Sequence, residues 1–197
     1  MTKRRSERGD TIIEVLLAFT VFSLVSVGAM AIMNQGTNAA ERSLEVTLVK
    51  EQIDAQAEAL RAAQQAYFSV MSDPNPANTA KTTWSTITGY SVPSPANNVS
   101  GGSCATSLSN AFVMNPRTAA VETMAITTMD KANTPPYSQV QFDSSGNLRG
   151  IYGIWIERLN STTGTPPYYD FRIRACWFAP GVNVPMELQT IVRLYGQ

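Results

Sequence analysis

Histidine is absent from all 197 residues. That single absence removes Ser-His-Asp triads, Cys-His dyads and histidine metal sites together. Cysteine is nearly as scarce, and the pair present, Cys104 and Cys176, cannot build a cysteine-rich zinc centre. No metal or other cofactor is expected. Proline is missing until Pro74, so nothing earlier in the chain stops a helix by lacking an amide donor. Charged residues make up 15%, with 15 basic against 15 acidic, and no two acids sit in a recognisable catalytic motif. An extracellular enzyme working through Asp130, Asp143 or Asp170 is therefore a rival reading without a motif behind it.

Charge is missing most completely from residues 15–33, which read VLLAFTVFSLVSVGAMAIM with Thr20, Ser23 and Ser26 as the polar members. As a helix this run spans roughly 28 Å, close to the ~30 Å hydrocarbon core of a bilayer. It is long enough to cross a membrane. Lys3, Arg4, Arg5 and Arg8 precede it against one acid, Glu7, which puts the N-terminus on the cytoplasmic side and the rest outside. Glu14 stands just inside the apolar segment with no obvious partner. A cleaved signal peptide would have a shorter apolar core ending in small residues. Gly28-Ala29-Met30-Ala31 imitates such a site, but the length of the run and the position of Glu14 favour a cut before the run, at Gly9.

Gly9, then Thr11-Ile12-Ile13-Glu14-Val15-Leu16-Leu17-Ala18, resembles the processing signature of the type IV pilin and type II secretion pseudopilin family. The likeness covers about the first 25 residues. It implies that Gly9 ends a leader, residues 1–9, removed by a membrane prepilin peptidase, and that Asp10 becomes the new, N-methylated N-terminus. It further implies that Glu14 meets the N-terminal ammonium of a neighbouring subunit during assembly, with Ile12, Ile13 and Val15 beside it in the assembly segment. An unpaired carboxylate costs about 2.5 to 3.5 kcal/mol at the bilayer centre and less near its edge, so a partner charge is physically reasonable. The implied partners are other pilin or pseudopilin subunits, the peptidase, an inner-membrane assembly platform and membrane lipid. Two positions depart from the family. Asp10 stands where an apolar residue, often Phe, is usual, which suggests a minor or specialised subunit. The apolar helix also lacks the proline often found in its second half, and Gly28 alone weakens it.

Without the leader the chain holds 11 basic and 14 acidic residues. That balance argues against a general nucleic-acid-binding surface, and no specific nucleic-acid binding is expected. The membrane segment, residues 10–33, includes Ile12, Val15, Leu16, Leu17, Phe19, Phe22, Leu24 and Met33. An amphipathic continuation over residues 34–71 follows, with a stripe at Leu44, Leu48, Ile53, Ala57, Leu60, Ala63, Tyr67 and Met71. Gly36 is the expected place for a kink or a local break. The other face, with Glu41, Arg42, Glu45, Glu51, Glu58 and Arg61, reads as a solvated surface.

Residues 72–197, about 125 residues, suffice for one head domain. Ser72-Asp73-Pro74-Asn75-Pro76 stops the helix. From there to Thr118 the Ser, Thr, Asn, Pro and Gly content predicts a long excursion with little regular structure, anchored by Trp84, Tyr90, Phe112 and Val113. Cys104 and Cys176, outside the cell, fit a disulfide that clamps this excursion; two reduced, buried thiols are the alternative. Asn98-Val99-Ser100 and Asn160-Ser161-Thr162 match the N-glycosylation triplet, a pattern short enough to occur by chance.

The last 60 residues predict four antiparallel strands at about 139–195: residues 139–142, 148–159, 168–178 and 187–195, the first two joined by the turn Asp143-Ser144-Ser145-Gly146-Asn147. Alternation places Tyr152, Ile154, Ile156, Phe171, Ile173, Ala175, Trp177, Leu188, Val192 and Leu194 on the face toward the long helix. Arg172, Arg174 and Cys176 then share the opposite face with Glu157, Glu187 and Arg193. Cross-strand ion pairs are the favoured use of those charges over an anion site. The fold class is α+β: a long N-terminal helix packed on a C-terminal antiparallel meander, pilin-like by resemblance. The expected role is a fibre subunit, single-pass, with a cytoplasmic N-terminus and an extracellular head. The alternative is a membrane-anchored extracellular binding protein that does not polymerise.

Overall fold

The structure is a computed structural model, and it describes residues 10–90, 111–123, 153–162, 167–179 and 182–196. The chain divides into two compact units, Met1–Ser43 and Leu44–Gln197. Helix α1 occupies Asp10–Ser69. Its helical backbone continues through Gly36, where a break was expected; a lone glycine costs a helix about 1 kcal/mol relative to alanine, too little to interrupt one this long.

In the first unit, three hydroxyls sit within the apolar run and bond back to the preceding turn: Thr20 to the Leu17 carbonyl at 2.8 Å, Ser23 to Phe19 at 2.7 Å and Ser26 to Phe22 at 2.8 Å. No hydroxyl there is left seeking water.

In the second unit, residues 44–69 of α1 pack on a sheet. Val49, Ile53, Ala57, Leu60 and Ala63 form one apolar row with Val46 and Tyr67 at its ends. The row differs from the expected stripe at its start, since Leu44 and Leu48 are 66% and 58% exposed. A five-residue step from Leu48 to Ile53 turns about 140° around a helix, whereas 46, 49, 53, 57 and 60 keep to steps of three and four. Met71 lies beyond the helix and is exposed as well.

A turn and a second helix follow α1. Asp73 accepts from the Asn75 amide at 2.9 Å and from the Asn78 side chain at 3.0 Å, and Lys81 donates to the Asp73 carbonyl. Asn78 then caps helix α2, Thr79–Gly89, by accepting from the Ala80 amide at 3.0 Å. This helix lies where little regular structure was expected. Its threonines are poor helix formers, but Thr82, Thr86 and Thr88 bond back to carbonyls one turn earlier. Trp84 and Ile87, nearly one turn apart, are its buried residues.

Among the described residues five antiparallel strands make up the sheet: β1 Ala111–Met114, β2 Val121–Thr123, β3 Gly153–Thr162, β4 Tyr168–Trp177 and β5 Met186–Tyr195, in the order β2-β1-β3-β4-β5. Strands β3, β4 and β5 correspond to the last three expected strands. Strands β1 and β2 were not anticipated, while residues 139–142, their turn and Tyr152 lie outside the described residues. The inward row holds Ile154, Ile156, Phe171, Ile173, Ala175, Trp177, Val192 and Leu194, with Leu188 partly buried, all against the apolar row of α1. Of the anchors, Trp84, Phe112 and Val113 are buried and Tyr90 is partly buried: Trp84 stacks on Tyr67 at 5.9 Å between ring centroids, and Tyr90 on Phe112 at 5.1 Å.

Candidate functional site

Among the described residues three places carry chemistry: the apolar segment of α1, the second face of the sheet, and a cleft beside α2.

On the apolar segment the large side chains are bare. Ile12, Ile13, Val15, Leu16, Leu17, Phe19, Phe22 and Met33 are all exposed, and Leu24 reaches 76%. Among the described residues this is the one helix long and apolar enough to cross a membrane. Glu14 is exposed on the same segment. Asp10 begins the helix, and Gly9 lies outside the described residues. Bare apolar surface of this extent is unstable in water and requires lipid or protein around it.

The second face of the sheet was expected to look outward. Over β3 and β4 it is buried instead, with Glu157 1% and Arg174 3% exposed. Arg172 grips Glu157 through Nε at 2.9 Å and Nη2 at 2.5 Å, both on Oε2, and Trp155 donates its indole N–H to Oε1 at 2.9 Å. Arg174 lies 3.7 Å from that same Oε1, bonds Glu187 at 2.5 to 2.8 Å and faces the Trp155 ring. At the other end of β4, Arg193 clasps Asp170 at 2.7 and 2.9 Å and lies 4.1 Å from the centre of the Tyr168 ring. The Asp170 hydrogen bonds, ahead of charge attraction, raise the Arg193 pKa further above its ordinary value. The pairs on Glu157 and Glu187 are the cross-strand ones expected from the alternation, with Glu157 now desolvated, while the half-exposed Arg193 to Asp170 pair was not anticipated. Asp170, one carboxylate of the enzyme reading, is committed to Arg193; Asp130 and Asp143 lie outside the described residues. Cys176 is buried on this face and Cys104 lies outside the described residues.

Two of the contacts that escaped the sequence tie α1 to the sheet. Gln56 of α1, fully buried, donates to the Met114 carbonyl at 2.7 Å and accepts from the Met114 amide at 2.9 Å, so one side chain completes the backbone of β1. Glu45, expected on a solvated face, accepts from the Trp177 indole at 3.0 Å. Its neighbours Glu41, Glu51, Glu58 and Arg61 are exposed as expected, Arg61 pairing with Glu58 at 2.5 Å. A glutamine amid an apolar row was the one available signal for the first contact. Nothing in the sequence marked the second.

The cleft has a volume of about 610 Å³ and lies between Ala63 and Ala66 of α1, the threonines of α2 and the turn from Thr118 to Val121. Ala119 in that turn takes φ 54°, held by its amide on the Asn115 carbonyl at 2.8 Å. Among the described residues no charged side chain lines the cleft. Among the described residues no group of three or more acids or cysteines is placed to hold a metal ion.

Compared with family models, curated proteins and solved structures, the chain matches none.

Proposed function

We propose that the chain is a prepilin-like structural subunit, cleaved after Gly9 and assembled through its apolar helix into a type IV pilus or a type II secretion pseudopilus. The observation that carries this reading is the bare apolar segment of residues 12–33 with a single acid, Glu14, near its start. A span meant only for anchoring has no use for that acid. A span that leaves lipid for a bundle of its own kind can pair it with the ammonium of the next subunit, newly formed at Asp10. Glu14 then sets register and recruitment more than net stability, because a buried ion pair gains little beyond its desolvation cost while an unpaired one is strongly unfavourable. Cleavage requires a prepilin peptidase, and extraction requires an assembly platform in the inner membrane. The head is carried outside the cell, where a Cys104 to Cys176 bridge would persist and contribute up to about 4 to 5 kcal/mol by the chain-entropy account.

Intact mass and N-terminal sequencing of the protein recovered from cells test the reading. A chain beginning at Asp10, with or without a methyl group, supports it, and a chain retaining residues 1–9 refutes it. The cleft beside α2, within the roughly 300 to 1,000 Å³ range of ligand pockets, favours one second reading: an anchored binding protein that does not polymerise. An intact Gly9 to Asp10 bond would speak for it.

A further inference from the structure

Strand β5 ends the sheet, and among the described residues nothing pairs with its far side. Edge strands are ordinarily blunted by charged side chains, lysine above all, by proline, by a bulge or by short length; the charges on β5 are Glu187 and Arg193. Met186–Tyr195 is ten residues of unbroken register against β4, and it contains no lysine, proline or glycine. Its outward row, Glu187, Gln189, Ile191, Arg193 and Tyr195, is exposed, with Ile191 at 61%. The row thus loses the cover that buries the same face at β4, and a large apolar side chain is left at the rim. The last carbonyl has a partner elsewhere, since Gln64 donates to the Tyr195 oxygen at 2.6 Å.

The two charges on this row decide what fits against it. They have opposite signs and stand three residues to either side of Thr190. Each is also held from β4, Glu187 by Arg174 and Arg193 by Asp170, so a match across the edge would extend these pairs rather than satisfy bare charges. If a second β5 pairs antiparallel with the first about a two-fold axis at Thr190, Glu187 falls opposite the partner's Arg193, and Arg193 opposite the partner's Glu187. Gln189 then faces the partner's Ile191, while on the inward side Leu188 faces Val192 and Met186 faces Leu194. Sliding the pair by two residues in either direction sets Glu187 against Tyr195 or Ile191 and loses both charge matches. We propose that the free edge of β5 docks a second copy of this chain, joining two sheets through β5 in the register centred on Thr190. Directly opposed opposite charges stabilise an antiparallel pair and like charges destabilise it, so this edge is complementary to itself.

The inference does not depend on the fibre reading, and its test separates strand pairing from association through the apolar helix. The full-length chain is solubilised in detergent, and Gln189→Cys and Ile191→Cys variants carrying different tags are mixed and mildly oxidised. The proposed register brings position 189 against position 191, so the mixture should form the cross-linked pair severalfold more than either variant alone. Equal yields, or none, would overturn the proposal. Separately, Ile191→Lys introduces a lysine on the edge and leaves Glu187 and Arg193 in place. With unchanged thermal unfolding of the head, it should reduce the particle from two chains to one by sedimentation. A particle mass that does not change would mean that the helix alone holds copies together, and the proposal would fail.

Discussion

Glu157 has three N–H donors on its two oxygens, from Arg172 and the Trp155 indole, and a second guanidinium close by. Removing either member of such a pair strands the other in a desolvated place, at a cost of about 3 to 5 kcal/mol. Arg172→Met should therefore lower the denaturation midpoint of the head sharply, and a double variant with Glu157→Leu should recover most of that loss; urea unfolding of both decides it. Gln56 makes a neutral version of the same argument. Gln56→Ala orphans the amide and the carbonyl of Met114 together and should cost about 1 to 3 kcal/mol per group left unsatisfied, whereas an exposed neighbour such as Glu58 should tolerate alanine with almost no change. Asp73 supplies a pH dependence. The Asn75 amide first, then the Asn78 side chain and the Lys81 charge, hold its pKa below the ordinary carboxylate value. A group depressed in the folded state stabilises above its unfolded pKa, about 3.9, and that contribution fades as pH falls through the folded value. Asp73→Asn should flatten the acid limb of the stability curve below about pH 4, measurable by thermal unfolding across pH.

At the level of elements, legibility followed the strength of the repeat. Helix α1 and strands β4 and β5 declared themselves because their apolar residues recur over many turns or many alternations, and a long pattern outvotes local exceptions. Helix α2 did not, because eleven residues with five threonines look like loop to any propensity argument; tertiary burial of Trp84 and Ile87 overrides that preference. Strand β1 is four residues long and buried on both sides, so it has no alternation to read. Its register is supplied instead by Gln56, from more than fifty residues away. The burial of the charged face was hidden for a related reason: arginine and glutamate alternating along strands look the same whether they face water or each other. Gly28 allows a test at this scale. A methyl group there meets no atom within 4 Å in the single chain, so Gly28→Ala should leave the isolated protein as stable or slightly more so, by up to about 1 kcal/mol. If helices pack closely at that point in an assembly, the same change should reduce assembly while thermal unfolding of the head stays the same.

For the whole molecule, the apolar segment of α1 has only lipid or neighbours as acceptable surroundings, and the fibre reading uses both in turn. Glu14→Ala should leave the chain in the membrane at normal abundance and remove it from sheared surface fibres. A variant found in fibres at the normal level would count against the pairing with Asp10. The apolar run, the single acid and the order of long helix before sheet were all legible in the sequence. The β5 edge, the cleft and the burial of the charge pairs became visible only once distant segments had been brought together.

Along its second unit, α1 is tied to the sheet by side chains at three levels: Glu45 to Trp177, Gln56 to Met114 and Gln64 to Tyr195. With a rise of about 1.5 Å per residue these ties are spaced roughly 16 and 12 Å along the helix. A tensile load applied along the axis would be shared among all three in shear, together with the apolar row between them. Peeling the sheet away from one end would instead break them one after another. The head is thus built to resist pulling along its helix better than prying across it.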